Sequence, residues 1–183
     1  HLLAIINDLL DLAKIEAGKW EGDFQALDCT DVAKEVVGGL SPLARNKGLK
    51  FTVTAPDEAV TAFTDRRALL QILINLSSNA VKFTDAGEVR IKVHEESADG
   101  QATVHFDVID TGTGIKLEDQ AKLFKAFEQL KKFGIAAPRE GTGLGLYICQ
   151  RLAGLLGGTI EFNSELGKGS TFSFIVPRDH REQ

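Results

Sequence analysis

The sequence predicts an α+β fold: a two-layer sandwich in which a mixed sheet carries helices on one face only. Three observations support it. Near residue 50 the apolar period changes from helical to two, with Phe51 and Val53 marking a strand and 60–63 a short second one. Residues 88–96 then alternate Val89, Ile91 and Val93 against Arg90, Lys92 and His94. Residues 102–110 alternate Ala102, Val104, Phe106 and Val108 against Thr103, His105 and Asp107, with SADGQ turning between. One face of this hairpin is apolar and the other wet, so helices cover one side. Strand-like stretches at 159–164 and 170–176 fit the same sheet, and no repeating βαβ pattern suggests a doubly wound fold.

Composition narrows the function classes. With 183 residues and 43% hydrophobic content, the chain can bury one full core and carry an appendage. A net charge of −5 argues against a nucleic-acid-binding surface, so an anionic ligand must be held by local groups such as a metal, lysines and backbone N–H. The most apolar segment, 144–156, is broken by Gln150 and Arg151, so no membrane segment and no signal peptide is expected. Cys29 and Cys149 lie far apart, which points to a reducing, cytoplasmic compartment rather than a disulfide framework. The absence of Met and the uncapped opening HLLAII suggest a segment of a longer protein, whose membrane anchor, if it has one, lies elsewhere.

The elements follow in order. Leu2, Ile5, Ile6, Leu9, Leu12, Ala13 and Ile15 recur at helical spacing, and Leu3 and Leu10 widen the apolar face until it needs partners on two sides. That width favours a dimeric helical bundle over packing on the chain's own domain alone. Gly18 and GKWEGD end this helix. Thr30 is a plausible N-cap for a second one through Val32, Ala33, Val36, Val37 and Leu40, perturbed near Pro42 and stopped by Gly48. Asp65 opens a third, which contains QILINLSSNAVKFT, residues 71–84. There Asn75, Asn79 and Lys82 stand at i, i+4 and i+7, while Ile72, Leu73, Leu76, Ala80 and Phe83 form a stripe toward a core. An amide oxygen is an uncharged hard ligand for Mg²⁺ and a lysine meets phosphate as a point charge, so the row suits a metal–triphosphate. Alone, NxxxN is more often an amphipathic helix with solvated amides; its company downstream decides.

That company begins with VIDTGTGI, residues 108–115. Gly112 and Gly114 permit close backbone approach, and Asp110 is carried to the sheet edge, where a carboxylate can accept from the exocyclic amine of adenine. Guanine would set acceptor against acceptor. DxGxG by itself is also a tight turn with a solvated Asp. Residues 117–127 predict a helix with Phe124 and Phe127 in the core. Residues 128–140, carrying Lys131, Lys132, Gly134, Pro138 and Arg139, suit a basic lid over phosphates. GTGLGL, 141–146, opens a helix through Leu156 whose free N–H groups and dipole suit phosphate oxygens. It is neither GxGxxG nor a Walker loop, and GKGS at 167–170 sits in a turn between strands.

NxxxN with its lysine, DTGTGI, LFKAFEQ, GTGLGL and GKGSTFSF together resemble, in order and spacing, the ATP-binding catalytic domain of sensor histidine kinases. That domain belongs to the superfamily shared with gyrase B, MutL and the heat-shock ninety chaperones. INDLLDLAKIEAGK also resembles the second helix of the kinase dimerisation and phosphoacceptor domain. The resemblance implies a Bergerat-type ATP fold over 21–183 and an incomplete dimerisation domain over 1–20. It implies ATP and Mg²⁺ as cofactors, with Asn79 the metal ligand and Lys82 a phosphate contact. Asp110 would read adenine with Gly112, Gly114 and Ile115 beside it. Gly141, Thr142, Gly143, Leu144 and Gly145 would pack on the nucleotide, and Thr171 would support Asp110 through water. The family's acceptor histidine precedes this helix, so His1 is not it. Asn75 and Lys82 are the expected catalytic positions. Hydrolytic relatives place a glutamate base at the position of Asn75, and an amide cannot take a proton from water, which favours transfer to a protein. Thr113 and Glu140 depart mildly from the family pattern.

The implied partners are a second copy of the parent protein, through the N-terminal helix, and a response-regulator receiver domain. The rivals are a nucleotide-gated interaction module and a gyrase- or chaperone-type ATPase. His94 and His105 share the polar face of one hairpin and could pair across strands, yet no acid or cysteine ligand set is evident around them. Cys149 reads as a packing residue, and Tyr147 and Trp20 have no partner motif.

Overall fold

A computed structural model of the chain describes residues 2–127 and 142–179. His1, 128–141 and 180–183 lie outside the described residues; with them go Gly141, Glu140 and the expected basic lid. In chain order the elements are α1 (Leu2–Glu16), β1 (Phe24–Asp28), α2 (Cys29–Asn46), β2 (Lys50–Thr54), β3 (Thr61–Asp65), α3 (Arg66–Phe83), β4 (Glu88–Ala98), β5 (Gln101–Asp110), α4 (Leu117–Gln120), α5 (Gly145–Leu155), β6 (Thr159–Glu165) and β7 (Gly169–Pro177).

Five strands form the main sheet in the order β2-β4-β5-β7-β6. β2 runs parallel to β4 and every other pair is antiparallel, so the sheet is mixed. Residues directly opposite each other share a face. Val89, Ile91 and Val93 of β4, Val104, Phe106 and Val108 of β5, and Phe174 and Val176 of β7 are therefore on one side, and all are buried. Against them pack Val32, Ala33 and Val36 of α2, Leu69, Ile72, Leu73 and Leu76 of α3, and Ile148 and Leu152 of α5. Phe106 and Phe174 stack across the strands, centroids 5.9 Å apart. Burial of each such side chain contributes about 1.5–3 kcal/mol. The other face, with His94, His105, Asp107 and Ser173, has no helix over it among the described residues. No helix among the described residues is long and apolar enough to cross a membrane.

Several local expectations are corrected. β3 does not join the main sheet; it pairs with β1, a strand the polar GKWEGD stretch concealed, in a separate two-stranded ribbon. The N-cap of α2 is Asp28, not Thr30: its carboxylate accepts from Thr30 N and Asp31 N at 2.9 and 3.1 Å. Helix α2 continues through Pro42 to Asn46. The helix expected over 117–127 stops at Gln120 and gives way to turns. Phe124 meets Phe162 at 5.8 Å, but Phe127 is 67% exposed at φ +64, so only one of the two rings packs. An acid does stand beside the histidine pair, because Glu96 lies two residues beyond His94 on the same face.

Helix α1 lies against its own domain through Leu12 and Ile15, while Ile6, Leu9 and Leu10 are exposed. Polar contacts run along the docked side. Asp11 Oδ2 accepts from Gln71 Nε2 at 3.0 Å, and Glu16 accepts from Tyr147 OH at 3.1 Å.

Candidate functional site

Helix α3 is anchored at both ends. At its start Asp65 caps Ala68 N at 2.8 Å through one oxygen and takes Asp23 N at 2.7 Å through the other. At its end the terminal carbonyls, which have no partner within a helix, are all engaged. Ala80 O accepts from Thr84 Oγ1 at 2.7 Å, Val81 O and Lys82 O accept from Lys47 Nζ at 2.7 and 2.9 Å, and Phe83 O accepts from Thr113 N at 3.3 Å. The lysine also sets a cation at the negative end of the helix dipole. This fixes the last turn, which carries Asn79 and Lys82, against the 110–114 turn. Asn79 and Lys82 are half-buried, and Lys82 Nζ lies 5.3 Å from the Phe83 ring centre.

Asp110 ends β5 on the helix-covered face, opposite Val89 and Ser170. It is only 8% exposed. Its Oδ1 accepts from Gly112 N at 2.8 Å, and the Ser170 backbone gives a second bond; burial nevertheless raises its pKa above the ordinary carboxylate value. Gly112 has no room for a side chain, since a Cβ would lie 2.5 Å from Phe83 O and 2.8 Å from Asp110 Oδ1. Gly114, at φ +65, would drive one into Glu165 O. Ile115 N donates to Ser164 Oγ at 2.9 Å, and Ser164 Oγ is 2.9 Å from Ser170 Oγ. The turn from 110 to 115 is thereby tied to the β6–β7 hairpin.

The expected support from Thr171 is corrected to Ser170. Thr171 pairs with Ile109 and Asn163, which puts it on the opposite face of the sheet from Asp110. The Ser170 support comes from its backbone, while its hydroxyl meets Ser164 Oγ at 2.9 Å. Gly169 was also missed: at φ +105, a Cβ there would strike Asp110 O.

At the start of α5, Thr142 Oγ1 accepts from Leu144 N at 3.0 Å and donates to Asp8 Oδ2 of α1 at 3.1 Å. Burial raises the pKa of Asp8, against the lowering effect of that bond. Gly143 adopts φ +71 and its carbonyl accepts from Phe127 N at 3.0 Å. Leu144 is buried. Gly145 faces Asn75: a Cβ there would lie 3.7–3.9 Å from the Asn75 carboxamide. Asn75 Nδ2 is buried and has no oxygen or nitrogen acceptor among the described residues, and its side chain reaches the Cys149 thiol, a weak acceptor. Cys149, next to it, has its thiol pushed up to about 12 by burial, as has Cys29, so neither is poised as a nucleophile. The structure thus joins Asp110, Gly112 and Gly114 to the end of α3, and Asn75 to Gly145. A separate open groove of about 830 Å³, between 115–120 and the β6–β7 turn, touches only Ile115 of the expected set.

A mixed sheet with helices on one face and a buried carboxylate at a glycine turn defines the α+β class of the domain. The chain belongs to the family described as Histidine kinase-, DNA gyrase B-, and HSP90-like ATPase, matched over residues 64–180. It is 42% identical over 182 residues to hybrid signal transduction histidine kinase B of Dictyostelium discoideum, covering 97% of this chain and 9% of that protein. It is 39% identical over 176 residues to aerobic respiration control sensor protein ArcB of Escherichia coli, covering 94% and 22%. The chain therefore spans less than a quarter of the length of these relatives. The crystal structure of full-length ShkA in complex with AMPPNP superimposes with a TM-score of 0.84 at 36% identity, over 97% of this chain and 36% of that one. The nucleotide-free catalytic domain of histidine kinase ThkA gives 0.73 at 26% identity, over 86% and 97%.

Proposed function

We propose that this chain binds Mg²⁺·ATP between α3, the Asp110 turn and the Gly143 loop, and donates the γ-phosphoryl group to a histidine on a dimerisation helix of its parent protein. The observation that carries the reading is Asp110, a buried carboxylate aimed by two backbone bonds at the end of the helix that bears Asn79 and Lys82. Its acceptor chemistry fits the exocyclic amine of adenine. Asn79 supplies a neutral hard oxygen suited to Mg²⁺, and Lys82 a point charge for phosphate. The buried Asn75 amide, whose neighbours are Gly145 and the weakly accepting Cys149 thiol, offers a donor that fits an anionic acceptor. Ile115, Thr142, Gly143, Leu144 and Gly145 frame the same site, and Gly141 is included on the resemblance alone. Bound Mg²⁺ supplies charge neutralisation on the phosphate oxygens. The protein's own part is positioning, and Asn75 offers no base for water, so transfer to a protein acceptor is favoured over hydrolysis.

Residues 1–20 belong, on this reading, to the dimerisation domain and 21–183 to the catalytic domain. The exposed Ile6, Leu9 and Leu10 of α1 would meet a second copy, and a response-regulator receiver domain would accept the phosphoryl group next, in the cytoplasm. The test is incubation with γ-labelled ATP and a separate fragment supplying the paired helix and its histidine. The label should appear on the added fragment, acid-labile and alkali-stable as a phosphoramidate is. Rapid hydrolysis by the chain alone would instead support an ATPase, and tight binding without transfer would support a nucleotide-gated module.

A further inference from the structure

The helix-free face of the sheet carries a cluster that nucleotide chemistry does not use. His94 of β4 and His105 of β5 are direct cross-strand partners, ring centres 5.0 Å apart. Glu96 projects from the same face one pleat along β4. The potential ligand atoms of the three residues all lie within 4.8 Å of one another. His94 Nε2 is 3.1 Å from Glu96 Oε1, and His105 Nε2 is 3.7 Å from Glu96 Oε2. A tetrahedral ion with bonds of about 2.0–2.1 Å needs ligand atoms roughly 3.3 Å apart, so these two separations already bracket the required edge.

A second observation concerns the far side of the His94 ring. Nδ1 is buried without a hydrogen-bond partner, 3.6 Å from Asp107 Oδ2, and Asp107 is itself held by Ser173 Oγ at 2.6 Å. Without an ion, His94 Nε2 can donate to Glu96; with an ion on Nε2 the proton moves to Nδ1, where the Asp107 carboxylate stands ready to accept it, the arrangement that orients a metal-bound imidazole. The two histidine side chains are 21% and 15% exposed and Glu96 is 60% exposed, so an ion has a solvent path and a water can complete its shell.

We propose that His94, Glu96 and His105 form a Zn²⁺ site on the open face of the sheet, with Asp107 as its positioning residue. Two imidazole nitrogens and one carboxylate oxygen suit a borderline transition ion and not Mg²⁺ or Ca²⁺, which prefer all-oxygen shells. Thr103 Oγ1, 3.0 Å from His105 Nε2, gives up that contact when the ion binds.

The test is titration of the metal-stripped chain with ZnCl₂ against a chromogenic chelator, without nucleotide, with Co²⁺ as a spectroscopic substitute. One equivalent should bind per chain, and Co²⁺ should show intense visible bands of a four-coordinate site. Asp107→Asn should weaken Zn²⁺ roughly 10–100-fold, and His94→Gln or His105→Gln by more than that. Glu96→Gln, a change at an exposed side chain, keeps the test decisive if a histidine variant misfolds: it should weaken Zn²⁺ and remove the Co²⁺ bands while circular dichroism stays unchanged. Zn²⁺ binding that survives the double His94→Gln/His105→Gln change, or no binding tighter than millimolar, would overturn the proposal.

Discussion

Asp110→Asn separates a base-reading carboxylate from a residue that merely shapes a turn. Asparagine keeps one carbonyl oxygen, which serves Gly112 N at 2.8 Å, and any change at the Ser170 backbone bond is a constant offset in stability that leaves the pH trend below intact. The other oxygen becomes an NH₂ group, and an adenine amine that met an acceptor now meets a donor in a site only 8% exposed. Leaving such a partner unsatisfied costs about 1–3 kcal/mol, a loss of roughly 5- to 150-fold in ATP affinity. GTP, which offers a carbonyl at that place, should gain relative to ATP. The stability of the nucleotide-free protein should move the other way. Burial raises the pKa of Asp110, so the folded chain holds its proton more tightly than the unfolded chain. Stability contributed by this group is then intact below the unfolded value, about 3.9, and falls as pH rises through the folded value. Asparagine does not titrate. Urea unfolding between about pH 3 and pH 7 should show the variant gaining on the wild type as pH rises, with the gap level once Asp110 is fully ionised. Calorimetry giving an unchanged ATP/GTP ratio would reduce Asp110 to a turn residue, and a stability gap that does not grow with pH would refute the burial argument.

Four further outcomes are expected. Asn79→Ala should abolish the Mg²⁺-dependent part of ATP affinity and leave circular dichroism unchanged; equal Mg²⁺ enhancement in both proteins would remove Asn79 as the ligand. Gly169→Ala should lower stability by at least about 1–3 kcal/mol, because φ is +105 and the new Cβ strikes Asp110 O, and a denaturant midpoint equal to wild type would contradict that contact. Thr142→Ala removes both the acceptor for Leu144 N and the donor to Asp8, so it should cost about 1 kcal/mol, the net worth of a typical hydrogen bond, in thermal unfolding. Asp8→Ala should weaken α1 docking while the Leu144 N–Thr142 Oγ1 bond stays, which hydrogen exchange of α1 measures.

The fold was legible wherever one face of an element is buried. The alternation in β4 and β5 gave strand type and orientation together, because a slip of one residue would expose Val89, Ile91 and Val93. Asp65 announced α3 for a similar reason: a carboxylate before an apolar periodic run is a cap with few rivals. What was hidden had weak or conflicting local signals. β1 buries little, its pattern being half exposed, and its stability comes from pairing with β3 and from the Phe24 and Phe63 rings, 6.4 Å apart. Apolar spacing over 117–127 imitates a helix, yet Phe127 takes positive φ to reach Gly143 O, a tertiary contact that no local period encodes.

The candidate site was legible as residue types and much less so as geometry. Asn75, Asn79 and Lys82 follow from helical spacing, and Asp110 from its place at the end of an alternating strand. Asn75, however, lies at the α3–α5 seam beside Gly145 and Cys149, a placement that depends on how two helices pack seventy residues apart in sequence. The residue that backs Asp110 shows the limit most sharply. In GKGST both Ser170 and Thr171 can hydrogen-bond, and chemistry alone does not choose between them. The choice is made by strand register: Ser170 is paired with Asp110, and Thr171, one residue on, points through the sheet to the face where His94 and His105 lie. Period-two structure makes neighbours in sequence strangers in space, so a motif read as a string of letters is ambiguous by one residue until the pairing partner of each strand is known. The same rule united His94, Glu96 and His105, whose two-residue step and cross-strand pairing put three ligand-type side chains on one face of the sheet.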